Sequence, residues 1–238
     1  MPLHLLGFSR SAGVCRASGV DWVVRGELAA AVVPLPPSPT PLEHAAHLAA
    51  IYRHGDVLPM RFGAALPDVS AVGNFIDRER EKLLEQLDRL QGTAEIGVRI
   101  AISPAPGPPA SPEPGEEERK GGQSPFVRSS LGAVRTNGDR SPSSAPAHYL
   151  ARRRAQYQSQ DQLALRVQLS AEHCTGMLKG HCRDWRRLSP EPPGAVRLAF
   201  LVERNLSQSF AERLATLSVA RLGERYAILG PWPPYSFV

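Results

Sequence analysis

"AEIGVRIAI" (Ala94–Ile102) runs directly into "SPAPGPPASPEPGEEERKGGQS" (residues 103–124), and where the chain is divided at this junction decides the fold. In the first stretch Ile96, Val98, Ile100 and Ile102 alternate with Glu95, Gly97, Arg99 and Ala101, the period of a half-buried strand. The second stretch, continued by "RTNGDRSPSSAPA" (residues 135–147), is proline, glycine, serine and charge. It has too little apolar surface to offset the entropy of ordering. The sequence therefore predicts an N-terminal α+β domain over 1–102, a disordered Pro/Gly/Ser-rich linker over 103–146 and a C-terminal α+β domain over 147–238.

Upstream of the junction, "LHLLGFS" (Leu3–Ser9) and "DWVVRGELAAAVVPL" (Asp21–Leu35) read as strand-bearing, the latter stopped by Pro34, Pro36 and Pro37. "TPLEHAAHLAAIYRHG" carries a helix signature, with Thr40 as cap, Pro41 in the first turn, Glu43 soon after and Gly55 as stop. Leu42, Ala45, Ala49 and Tyr52 are expected on its inner face. "VLPMRFGAAL" (Val57–Leu66) is extended, and Pro59 puts it at an edge or bend. From Val69 to Gln91, Val72, Ile76, Leu83, Leu87 and Leu90 recur at helical spacing, and Gly92 ends the run. This order predicts a ferredoxin-like sheet with both helices on one face.

Downstream, "AHYLARRRAQYQSQDQLALRVQLSAEHC" (residues 147–174) predicts a long polar helix and "AVRLAFLVERN" (Ala195–Asn205) a buried strand. "LSQSFAERLATLSVARLG" (Leu206–Gly223) predicts an amphipathic helix capped by Ser207 or Ser209, with Phe210, Leu214 and Leu217 inward. A last strand leads into "GPWPPYSFV" (Gly230–Val238), a stiff aromatic tail with little freedom left to lose on docking.

Composition narrows the function classes. Hydrophobic residues are 42% and charged residues 21% of the 238, enough apolar material for a core without staples. The three cysteines, Cys15, Cys174 and Cys182, form no disulfide framework and point to a reducing cytoplasm. No window approaches the apolar length of a membrane span. The net charge of +5 is spread along the chain, which speaks to solubility more than to nucleic acid.

"HCTGMLKGHC" offers His173, Cys174, His181 and Cys182 as metal ligands, but an unbroken helix would set the pairs about 10 Å apart along its axis, too far for one ion. No metal or other cofactor is expected. Phosphate-loop, dinucleotide and nucleophile-elbow motifs are lacking. His54 and Asp56 in "YRHGDV" read as helix-terminal groups and "DRERE" (Asp77–Glu81) as a solvated face, so no enzyme is expected. What stands out is rigid and aromatic: Pro59, Arg61 and Phe62 in one segment, Trp232, Tyr235 and Phe237 in the tail. Such groups either pack internally or form a docking surface, between domains or for a partner.

"VLPMRFG" before a charged amphipathic helix, then "LQGTAEIGVRI", "YLARRRAQ", "LAFLVERNLSQSFAERL" and the terminal "GPWPPYSFV", in that order, resemble the gas vesicle accessory proteins of the GvpL/GvpF family. The resemblance covers most of 20–102 and 147–238. The short first strand, the long linker and "HCTGMLKGHC" depart from it. It implies a two-domain, non-enzymatic protein of gas vesicle assembly that contacts the hydrophobic shell protein and other accessory proteins, in the cytoplasm and associated with vesicles. The alternative is a basic protein-interaction or nucleic-acid-binding adaptor. Docking of Trp232, Tyr235 and Phe237 across the domain junction near Arg61 and Phe62 is the expected use of the tail.

Overall fold

The computed structural model describes residues 1–14, 19–103, 145–189, 191–219 and 223–238. The linker expected at 103–146 lies almost wholly outside them, as does Cys15.

The first sheet joins β1 (Leu3–Arg10), β2 (Asp21–Arg25), β3 (Leu28–Pro34), β4 (Leu58–Pro59) and β5 (Ala65–Leu66). Its order is β2-β3-β1-β4, and β5 also pairs β1. A single stretch, "DWVVRGELAAAVVP", makes the β2–β3 hairpin because Gly26, at φ 58°, supplies the left-handed turn. Pro59 confines β4 to two residues at the sheet edge, as expected of a residue without a ladder donor.

Helix α1 (Pro41–Tyr52) begins with a full capping box: the Glu43 N–H donates to Thr40 Oγ1 at 3.2 Å, and the Thr40 N–H donates to the Glu43 carboxylate at 3.3 Å. Its buried residues are His44, Leu48, Ile51 and Tyr52, while Leu42 is 79% exposed. The inner face is thus rotated from the one expected. The rotation follows from His44, whose ring is buried because both of its nitrogens find partners. Helix α2 (Val69–Leu90) buries the expected Val72, Ile76, Leu83, Leu87 and Leu90 and stops at Gly92, φ 67°.

The two helices do not share a face of the sheet. Along β3, Ala31 and Val33 pack in the core that holds α1's Leu48 and Ile51, whereas Leu28, Ala30 and Val32 pack with α2's Val72 and Ile76. Alternate residues of a strand point to opposite faces, so α1 and α2 cover opposite sides. This is why β3 is apolar without a break, "LAAAVV", a pattern proper to a strand buried on both faces.

The second correction concerns β6 (Thr93–Ile102). It lies in the centre of the other sheet, between β8 (Ala195–Glu203) and β9 (Glu224–Trp232), in the order β7-β8-β6-β9. With α3 (Ala145–Leu178), β7 (Asp184–Leu188) and α4 (Ser207–Val219), the succession is β6–α3–β7–β8–α4–β9. That βαββαβ succession and sheet order make the ferredoxin-like unit the second one. Residues 104–144 therefore fall inside the connection from β6 to α3 and do not divide two sheets. The strand β7, "DWRRL", was not expected; it is short, charged and exposed, as edge strands are.

In this second sheet α3 and α4 do share one face. Ile96, Val98, Ile100, Leu198 and Phe200 meet Val167, Cys174, Phe210 and Leu214 there, and the Phe200 and Phe210 rings lie 5.3 Å apart. The same core runs on to Leu6, Leu48, Ile51 and Tyr52 of the first sheet and its helix.

A polar joint locks the two sheets at this seam. Arg204, just after β8, donates to Asp56 Oδ1 at 2.9 Å and to the carbonyls of Tyr52 and Gly55, with its guanidinium 3.8 Å from the centre of the Tyr52 ring. Asp56 also accepts the Gly92 N–H at 3.0 Å, and the Tyr52 hydroxyl donates to the Thr93 carbonyl at 2.8 Å. Replacing Arg204 by Ala strands these acceptors and is expected to cost about 1–3 kcal/mol. Urea unfolding checks this, and a double variant with Asp56→Ala should lose less than the sum of the two single losses.

Candidate docking site at the C-terminal tail

The tail begins where β9 bends. Gly230 sits at φ 112°, and a Cβ there would lie 2.7 Å from the Glu95 carbonyl oxygen, so a side chain is excluded. Pro233 and Pro234 are buried, and a single 3-10 turn, Tyr235–Phe237, follows. Phe237 is fully buried among residues of both sheets and α2, including Leu3, Phe8, Leu58, Leu83, Ala199 and Leu201.

Polar groups hold this turn from both sides. The Ser236 N–H and hydroxyl each donate to the Glu95 carboxylate at 2.7 Å. Arg89 of α2 donates to the Phe237 carbonyl and Arg186 of β7 to the Ser236 carbonyl. The Arg186 guanidinium also lies 5.1 Å from the centre of the Phe237 ring. Burial raises the Glu95 carboxyl above the usual carboxylate range, while the Ser236 bonds and the Arg186 charge pull it back. Tyr235 is pushed up to about 12 by burial and the Glu95 charge, so it remains a neutral phenol.

Beside the turn is a groove of about 280 Å³. Its floor and walls are apolar, with Phe8, Leu58, Pro59, Met60, Phe75 and Leu83, and the tail closes it with Tyr235 and Val238. Phe8 and Phe75 stack at 5.6 Å, and Arg61, Glu79 and Lys82 stand among the lining residues. Of the six residues picked out in the sequence, Pro59, Arg61 and Tyr235 thus line one groove, with Phe237 buried as the anchor between its tail residues. Phe62 lies instead against His4 and His44, and Trp232, on β9, is 46% exposed. The α2 contribution, Phe75 and Leu83, was not singled out in the sequence. Phe75 lies next to the buried Ile76 on the helix, but its part in a groove depends on the tail reaching α2.

The other candidate sites disperse. Gly180, φ 91°, follows the end of α3. On that helix Cys174 is buried, its thiol pushed up to about 12 by burial, whereas His173 is exposed. Among the described residues no group of three or more metal-ligating side chains converges. Asp56 belongs to the Arg204 joint and His54 is exposed. No helix among the described residues is long and apolar enough to cross a membrane.

Removing the Phe237 ring is expected to cost about 3–5 kcal/mol, as for other buried phenylalanines, whereas Trp232→Ala should stay within about 0.5 kcal/mol, as for a surface site; thermal melts separate the two. Because the Glu95 pKa is higher in the folded state, its contribution is fully present below the unfolded carboxylate value and is lost as pH rises through the folded one. The stability of the wild type relative to Glu95→Gln should therefore fall as pH rises above the unfolded carboxylate value of about 4. Parallel pH profiles would show that burial does not raise this carboxyl.

The chain is 28% identical over 181 residues to gas vesicle protein L of Streptomyces sp. (strain CB03234), a match covering 76% of this chain and 61% of that protein; it thus spans about three fifths of that relative's length. Against gas vesicle protein F of the same organism it is 28% identical over 226 residues, covering 92% of this chain and 87% of the relative. The crystal structure of GvpF from Anabaena sp. PCC7120 superposes with a TM-score of 0.67 at 13% identity, covering 99% of this chain and 95% of that one. GvpF from Microcystis aeruginosa gives 0.68 at 13% identity, covering 99% and 98%. These likenesses agree with the mixed α/β fold of two antiparallel sheets. Residues 4–238, nearly the whole chain, match the model of the family described as gas vesicle synthesis protein GvpL/GvpF, and the protein belongs to that family.

Proposed function

We propose that this chain is a non-enzymatic accessory of gas vesicle assembly that holds the hydrophobic shell protein before it polymerises. The groove between the Pro59–Arg61 segment, α2 and the tail is its docking place. Family membership supports the gas vesicle role. A subunit destined for a gas-filled wall exposes apolar surface before it is incorporated, and such surface aggregates unless covered. The observation that carries the proposal is the groove itself: about 280 Å³ of mainly apolar space, room for two or three side chains, with cationic Arg61 and Lys82 and anionic Glu79 among its lining residues. Exposed charges there set orientation more than strength. Other gas vesicle accessory proteins are the remaining partners expected, and vesicle-associated cytoplasm the place of action.

The test is co-purification with a gas vesicle shell protein expressed alongside, at low and then high salt. Capture should survive high salt, be lost in Met60→Lys, which sets a charge in the groove, and persist in Trp232→Ala. Capture that falls steeply with salt, or that Met60→Lys leaves intact, would remove the groove as the docking place and favour a charge-driven adaptor.

A further inference from the structure

On the side of the Pro59–Phe62 segment away from the groove, two histidines meet between β1 and α1. His4 Nε2 lies 2.8 Å from His44 Nδ1, and His44 Nε2 lies 3.0 Å from the Met60 carbonyl oxygen. A carbonyl can only accept, so His44 Nε2 carries a hydrogen and donates it. Neutral His44 then accepts at Nδ1, and His4 must donate from its own Nε2. The remaining nitrogen, His4 Nδ1, is buried with no hydrogen-bond partner. Both residues are buried, and the Phe62 ring lies edge-on to the two imidazoles at 5.8 and 5.9 Å.

One further proton destabilises this buried pair wherever it lands. On His44 Nδ1 it would set two N–H groups head to head. On His4 Nδ1 it would create a buried cationic N–H with no acceptor. The surroundings bring little relief. From α1 come His47, a second source of positive charge, and Glu43, whose carboxylate is engaged by the Thr40 N–H and hydroxyl. The end of β3 and the loop before α1 bring Pro34, Pro36, Pro39 and Thr40, none charged. β3 brings Val33, opposite His4 on the ladder, and β5 brings Ala65. The 60–62 segment contributes only the exposed Arg61.

We propose that His4, His44 and the Met60 carbonyl form a proton-operated latch, which fastens residues 58–66 to the β1–α1 layer while both rings are neutral and releases them when either is protonated. Burial lowers both histidines from their usual value; the charges of His44 and His47 add to this at His4, and at His44 the bond to the Met60 carbonyl offsets part of it while the His47 charge adds to it. A lowered folded pKa means that the released state binds protons first. The latch is therefore complete above about pH 6.5 and fails as pH falls through the folded values. Pro59 and Arg61 belong to the released segment, so acid would open one wall of the groove. The latch does not depend on any ligand occupying that groove.

Hydrogen–deuterium exchange of the full chain at about pH 7.5 and about pH 5, corrected for the intrinsic pH dependence of exchange, reads the latch directly. Protection of peptides from 58–66 should fall about tenfold or more in acid while peptides from 93–102 keep theirs. The double variant His4→Gln/His44→Gln, in which neither side chain titrates and the amide at 44 can still donate to the Met60 carbonyl, should abolish the difference. Equal protection at both pH values, or a difference that survives the double variant, would overturn the proposal. Nitrogen-15 spectra of the wild-type imidazoles test the geometry without any variant. At about pH 7.5 both rings should be Nε2–H tautomers, and an Nδ1–H on either would overturn it as well.

Discussion

Arg204 stands where β8 gives way to α4, and its guanidinium reaches across to the end of α1. Through Asp56 it touches the turn that starts β6, since the same carboxylate accepts the Gly92 N–H. Three departures of the chain are thereby set against one another: α1 leaving the first sheet, β6 entering the second and β8 ending in it. The apolar core that flows from Leu48 and Ile51 to Ile96 and Phe200 is continuous, but hydrophobic contact is not directional. A charge-assisted set with fixed donors and acceptors chooses one relative placement among the many that apolar burial alone would accept. The tail's turn, bound by Glu95, Arg89 and Arg186, makes a second such set, reaching from the second sheet to α2.

What could be read in advance was local. The cap at Thr40, the five apolar positions of α2 and the extent of β6 each depend on neighbours a few residues away, and each appears where the pattern placed it, although β6 is buried on both faces from Thr93 to Val98 where half-burial is expected. What misled was long-range. The break in composition after Ile102 suggests a boundary between domains, although composition reports only what a segment can bury and nothing about which strands flank it in space. β6 satisfies the alternation rule equally well in either sheet, so its place rests on nine residues of pairing with β8. The unbroken apolar run of β3 did carry a signal for helices on both faces, which the ferredoxin-like expectation overrode.

The site was legible to the same degree. Proline and aromatic content marked both the 57–66 segment and the tail, and three of the marked residues come to one groove. Phe62 and Trp232 look the same in sequence but are used differently: one rests against a histidine pair, the other remains open on β9. Nothing in "LHLLGF" or "LEHAAH" announces that His4 and His44 share a hydrogen bond, because the pairing needs β1 and α1 to be brought together first.

The central place of β6 also bears on the order in which the molecule can acquire its structure. Both of its ladder partners lie beyond residues 104–144, so the strand that ends the N-terminal half of the chain waits for β8 and β9 before either of its edges is covered. Until then, "IGVRIAI" presents two open edges rich in β-branched residues, the kind of surface that recruits other strands. Such distant pairing slows folding, because the closure of a long stretch of chain precedes any reward from contact. A polypeptide cut at the compositional break after Ile102 would therefore be no independent domain. It would be one strand of a four-stranded sheet attached to the whole of another sheet, sticky along the strand that ought to be its most protected.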